Sequence, residues 1–212
     1  MHHFEHVPEI DEIHALHPGA KACLFDMDGT LMNTEIIHAQ AMFKLLEKNH
    51  PGSFTLERLA DLCLGQTDSY IFQKLREENF LAGFEPADLE SQKNSHFLAL
   101  LETTDPASIF FPEVKLLLED LTKADFKLAL VTSSDKHSSA ALLEFLKIGS
   151  FFEIILTKES TEKNKPHPDP YLKALEGFGL KPQDCVIFED SPTGLAAAKR
   201  AGAGSIIHAR WY

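Results

Sequence analysis

Cysteine is scarce in these 212 residues: there are three, Cys23, Cys63 and Cys185, each inside an apolar run. An odd number with no CxxC spacing excludes a disulfide framework or a cysteine-ligated zinc site as the organising device. Such thiols suit buried positions in a reducing compartment, so a cytoplasmic protein is expected. No apolar run approaches the roughly 18 residues needed to span a bilayer. The opening MHHFEHVPEIDEIHALHPG also lacks the apolar core of a signal peptide. Positive charge is short as well: 20 Lys+Arg against 32 Asp+Glu leave a net charge of −12. That balance excludes a general nucleic-acid binder or a binder of anionic membranes, because both need a positive footprint. A small anionic ligand is not excluded, since local charge decides its binding. Five of the eleven histidines fall in the first seventeen residues, at no metal-ligand spacing. Residues 1–19 are therefore expected to be a solvated N-terminal extension.

What is present is an alternation. Short apolar strand candidates recur at Ala22–Phe25, Leu128–Val131, Ile154–Leu156, Cys185–Phe188 and Ser205–Ile207. Helical patterns lie between the later ones, over Lys136–Ile148, Tyr171–Phe178 and Pro192–Ala201. The last opens with Ser191 as N-cap and Pro192 at the first helical position, and it ends at Gly202. Strands alternating with helices imply βαβ crossovers and a parallel sheet covered on both faces. The first interval, from Cys23 to Leu128, is too long for one crossover by roughly 75 residues. That excess reads as helices over Glu35–Lys48, Thr55–Cys63, Thr67–Phe80 and Pro86–Leu101; Pro112–Lys123 then leads back to the sheet. The expected plan is an α/β, doubly wound core at 20–33 and 108–212, with an inserted α-helical domain at 34–107.

Ligands of open parallel sheets bind at the carboxyl ends of the strands. Those ends carry Asp26-Met27-Asp28-Gly29-Thr30, Thr132-Ser133-Ser134, Lys165-Pro166-His167-Pro168-Asp169-Pro170 and Glu189-Asp190-Ser191. Four neighbouring carboxylates, Asp26, Asp28, Glu189 and Asp190, would repel one another without a hard cation, and oxygen ligands suit Mg²⁺. Lys165 and the Thr132 hydroxyl would face a phosphoryl group as a cation and a donor. Gly29 allows backbone amides to approach an anion closely. An aspartate can attack phosphorus, and a second carboxyl can protonate the leaving oxygen and then activate water. Singly, each motif has a plainer reading as a turn, a solvated charge, a strand end or a helix cap.

Together, DMDGTL at 26–31, Thr132 after LALV, KPHPDP at 165–170 and EDSPTGLAAAKRAG at 189–202 resemble the four motifs of the haloacid dehalogenase superfamily. The similarity is to its phosphatase and phosphoglucomutase-like branch, whose Rossmann-like core carries a helical cap. It implies Asp26 as nucleophile, Asp28 as general acid and base, and Thr132, Ser133 and Lys165 around the phosphate. It also implies Mg²⁺ held by Asp26, the Asp28 backbone carbonyl and Asp190, with Glu189 directly or through water. The inserted helices would be the cap that closes over substrate, with His38, Gly65, Gln66 and Thr67 as its substrate-facing candidates.

Three departures narrow the choice. Asp28 argues against dehalogenation, because the dehalogenases lack that carboxyl. His38 matches the hinge histidine of the mutases, but Asp68 stands where they carry an arginine for a second phosphate. An acidic residue there is expected to repel a bisphosphate. Asn33 replaces the frequent Asp of DGTLxDTE, which touches the hinge and not the chemistry. The resemblance thus implies a phosphatase of a small phosphorylated metabolite (a sugar phosphate, phosphoglycolate or a nucleotide), with a hexose-phosphate mutase as the alternative. A monomer or weak dimer is expected.

Overall fold

A computed structural model of the chain describes residues 1–63, 68–81 and 83–212. These residues form two compact units, Met1–Asn33 with Pro106–Tyr212, and Thr34–Asp105. Along the first unit run β1 (His2–Phe4), α1 (Ile10–Leu16) and β2 (Ala22–Phe25). The second unit then contributes α2 (Glu35–Asn49), α3 (Leu56–Cys63), α4 (Asp68–Glu77) and α5 (Pro86–Leu101). The first unit resumes with α6 (Pro106–Ile109), α7 (Pro112–Lys123), β3 (Lys127–Val131), α8 (Lys136–Leu146) and β4 (Ile154–Leu156). It closes with α9 (Asp169–Phe178), β5 (Cys185–Glu189), α10 (Pro192–Ala201) and β6 (Ser205–Ala209).

The sheet has the order β1-β6-β5-β2-β3-β4, and every pairing is parallel. This is the α/β, doubly wound architecture that the alternation predicts. β2 and β5 lie at its centre, and every residue of both is buried. A strand with both faces covered cannot alternate polar and apolar residues, so ACLF and CVIF read as unbroken apolar runs. Their pairing sets Phe25 beside Phe188, whose rings stack with centroids 4.3 Å apart. The same register brings the residue after β2, Asp26, next to the end of β5, where Asp26 N–H donates to the Phe188 carbonyl at 3.0 Å.

Residues 1–19 are not the solvated extension expected of them. β1 pairs with β6, Ile13 of α1 is fully buried, and His17 Nδ1 lies 3.1 Å from Ser205 Oγ. β1 is short, at an edge and largely exposed, so it carries no apolar run to announce it. A second difference is at β5, which continues one residue further and ends on Glu189 itself.

The second unit has its own core. Met42, Leu45 and Leu46 of α2 pack with Leu59, Ile71, Phe72, Leu75 and Leu89. It is helical throughout its named elements, as the 3.6-residue spacing of its apolar positions requires. Gly65, Gln66 and Thr67 lie outside the described residues.

Candidate active site

Three of the four polar strand ends meet directly around one lysine. Lys165 is buried, and its ammonium donates to Asp26 Oδ1 at 2.5 Å, to Glu189 Oε1 at 2.6 Å and to the Val131 carbonyl at 2.8 Å. It thereby ties the ends of β2, β5 and β3 together. Carboxylate oxygens of Asp26, Glu189 and Asp190 lie within 4.8 Å of one another. The sequence led us to expect four clustered carboxylates; among the described residues there are three. Asp28 instead accepts from Ser134 Oγ at 2.7 Å, so its side chain is turned toward the loop after β3.

The loops explain the placement. Gly29, with φ of 80°, closes a tight turn in which the Met27 carbonyl accepts from the amides of Leu31 and Met32. A β carbon on Gly29 would fall 2.4 Å from Asp190 Oδ2, so only glycine lets that carboxylate in. Thr30 Oγ1 donates to Asp190 Oδ1 at 3.0 Å. The turn is held from behind, where Trp211 Nε1 donates to the Thr30 carbonyl at 3.0 Å and the Tyr212 hydroxyl to that of Leu31 at 2.7 Å. After β5, Ser191 accepts from Gly194 N–H at 3.1 Å and caps α10. Gly202, with φ of 77°, ends that helix.

Charge in this site is poorly solvated. Burial first, and then Glu189, raise the Asp26 carboxyl well above the usual carboxylate range, against the pull of Lys165. Burial and Glu189 raise Asp190 to about 7. Burial alone would lower Lys165, but Asp26 and Glu189 overcome it and hold the ammonium above its ordinary value. One cation therefore does not neutralise the three carboxylates. A cluster of hard oxygen donors with surplus negative charge fits a divalent ion such as Mg²⁺.

Thr132 is buried at the end of β3, its Oγ1 accepting from Ser134 N–H at 3.0 Å, with Ser133 half-buried between them. Two residues at the site were missed in the sequence. Ser134 lies in the same polar loop as Ser133, and nothing local distinguishes the two. Local pattern marks Tyr171 only as part of an amphipathic helix; its hydroxyl donates to Glu189 Oε1 at 2.6 Å.

The profile of the haloacid dehalogenase-like hydrolase family matches residues 23–207. The chain belongs to this family. It is 31% identical to Protein CbbY of Rhodobacter capsulatus, over 88% of this chain and 84% of that one. It is 30% identical to the phosphorylated carbohydrates phosphatase of Thermotoga maritima, over 86% and 82%. The crystal structure of CbbY from Rhodobacter sphaeroides in complex with phosphate superposes with a TM-score of 0.75 at 26% identity, covering 89% of this chain and 85% of that one. The chain is an enzyme, a hydrolase of the phosphatase and phosphoglucomutase-like branch.

In the hydrolase's second unit, His38 does not stand alone. Lys93 is 2% exposed, and its ammonium donates to His38 Nδ1 at 2.7 Å and to Asp68 Oδ2 at 2.9 Å. The His38 ring stacks on Phe97 with centroids 4.4 Å apart. Lys93 was not singled out in the sequence, although it interrupts the buried stripe Leu89, Phe97, Leu101 of α5. The expected repulsion by Asp68 is thereby revised. Its carboxylate is paired with a buried ammonium, so the position is not a bare negative charge. What remains of the contrast with the mutases is the missing guanidinium.

Proposed function

We propose that this hydrolase is a Mg²⁺-dependent phosphatase of small phosphomonoesters, sugar phosphates first among them, working through an aspartyl-phosphate on Asp26. The observation that carries the reading is the placement of Asp26. It is buried at the end of the central strand, on the ammonium of Lys165 and within the three-carboxylate cluster. A relative that acts on phosphorylated carbohydrates and a neighbour solved with phosphate support the substrate class.

Asp26 Oδ attacks phosphorus, and the bond from phosphorus to the ester oxygen breaks. Asp28 gives its proton to the departing alkoxide, then takes one from the water that attacks phosphorus in the second step and frees Asp26. The Ser134 bond to Asp28 Oδ2 holds that carboxyl in place for both transfers. Thr132 and Ser133 bind the phosphoryl oxygens with the positive charge of Lys165 beside them, and the helices at 34–107 act as a cap domain that, through His38, Gly65, Gln66 and Thr67, selects the substrate. Asp26, Glu189, Asp190 and the Asp28 backbone carbonyl would hold Mg²⁺, whose charge would offset that of the carboxylates and phosphate.

The test is phosphate release from a phosphomonoester panel, with Mg²⁺ and with EDTA. Asp26→Asn is expected to lower turnover at least about 10³-fold, and Asp28→Asn by about 10²–10⁴-fold. Full turnover by Asp26→Asn would sink the proposal. Conversion of β-glucose 1-phosphate to glucose 6-phosphate with a bisphosphate primer, faster than hydrolysis, would instead favour the mutase.

A further inference from the structure

Glu189 is immobilised more thoroughly than its role as one of three carboxylates requires. Both Glu189 and Tyr171 are fully buried. The Tyr171 hydroxyl and the Lys165 ammonium donate to the same oxygen, Oε1, each at 2.6 Å, while Ser191 Oγ donates to Oε2 at 3.2 Å. On the remaining side lies Gly194, where a β carbon would fall 1.8 Å from Oε1 and 2.1 Å from Oε2. The Tyr171 ring, besides, sits 5.0 Å from the Lys165 ammonium.

Packing does not account for the hydroxyl. The ring belongs to an apolar cluster with Ala129, Val131, Ala174 and Leu175, which a phenylalanine would fill equally. A buried phenol must be hydrogen-bonded, and among the described residues its partner is a carboxylate of the site. Lys165 lies just before α9 and Tyr171 in its first turn, so one stretch of chain delivers both donors to one oxygen.

We infer that Tyr171 is a positioning residue for the metal site: its hydroxyl fixes the Glu189 carboxylate in the orientation that serves a divalent cation. This rests on the proposed Mg²⁺ site. It adds a group that touches neither cation nor substrate and acts only through Glu189. Removing a hydrogen-bond partner of a metal ligand typically weakens metal affinity about 10–100-fold. Since Lys165 and Ser191 remain, the lower end applies to Tyr171→Phe.

The experiment is direct metal binding to the full chain without substrate, by Mn²⁺ electron paramagnetic resonance with Mg²⁺ in competition. Tyr171→Phe is expected to weaken Kd about 10-fold. Melting of the metal-free proteins is the fold control. A role in packing alone would lower the melting temperature and leave Kd unmoved, which overturns the inference. Should the variant not fold, the wild type supplies the readout. Among only three tyrosines, metal addition should perturb the ultraviolet absorption of a buried one, and an unchanged tyrosine band overturns the inference. Loss of binding in the wild type as well would defeat the metal reading itself, a result distinct from unchanged affinity in the variant.

Discussion

At the scale of residues, the site concentrates negative charge where water cannot relieve it. Asp190 is raised to about 7 from 3.8, by burial first and by Glu189 second. In metal-free protein the folded state therefore keeps a proton that the unfolded chain releases. The stability that this proton confers is full below about pH 4 and falls as pH rises through about 7. Melting in EDTA between pH 4.5 and 8 should show wild type losing stability relative to Asp190→Asn across that window. A difference that grows in the opposite direction would contradict the assignment. The legibility of these residues was uneven for a physical reason. Asp26, Lys165, Glu189 and Asp190 stand beside apolar strands or in a Pro-rich turn, where polar groups are conspicuous. Ser134 and Tyr171 matter through partners about a hundred and about twenty positions away, and local pattern carries no trace of such contacts.

At the scale of elements, α10 departs from the rule that alanine favours helices over glycine. Gly194 is its third residue, and the Glu189 carboxylate occupies the space of the missing side chain. Gly194→Ala should therefore destabilise by about 1–3 kcal/mol through overpacking, as measured by denaturant melts. Stabilisation by the usual helix increment would show that Glu189 lies elsewhere. Helices and central strands were legible because burial on one face or both imposes a period on the sequence. β1 was not, since a three-residue edge strand of His2, His3 and Phe4 buries too little to leave a pattern. Its partner explains its presence: it continues the sheet alongside β6.

At the scale of the whole molecule, the net charge of −12 and the affinity for an anion that we propose are separate matters. Three carboxylates of that total sit in the cluster with Lys165 and would be offset by a bound divalent ion, while most of the remainder lies on solvated surfaces. No helix among the described residues is long and apolar enough to cross a membrane. That helices are inserted between β2 and β3 was legible from the length of one interval alone; the unit itself is Thr34–Asp105, where 34–107 is the sequence expectation. What that unit selects was not, because three of its candidate residues are Gly65, Gln66 and Thr67 and none announces a ligand. The nucleophilic role proposed for Asp26 is open to chemical trapping. The enzyme is mixed with substrate, quenched in acid within a single turnover and reduced with borohydride, and its peptides are mapped by mass spectrometry. Homoserine at position 26 is the predicted result. Release of phosphate with Asp26 unmodified, or with the label on another residue, would contradict it.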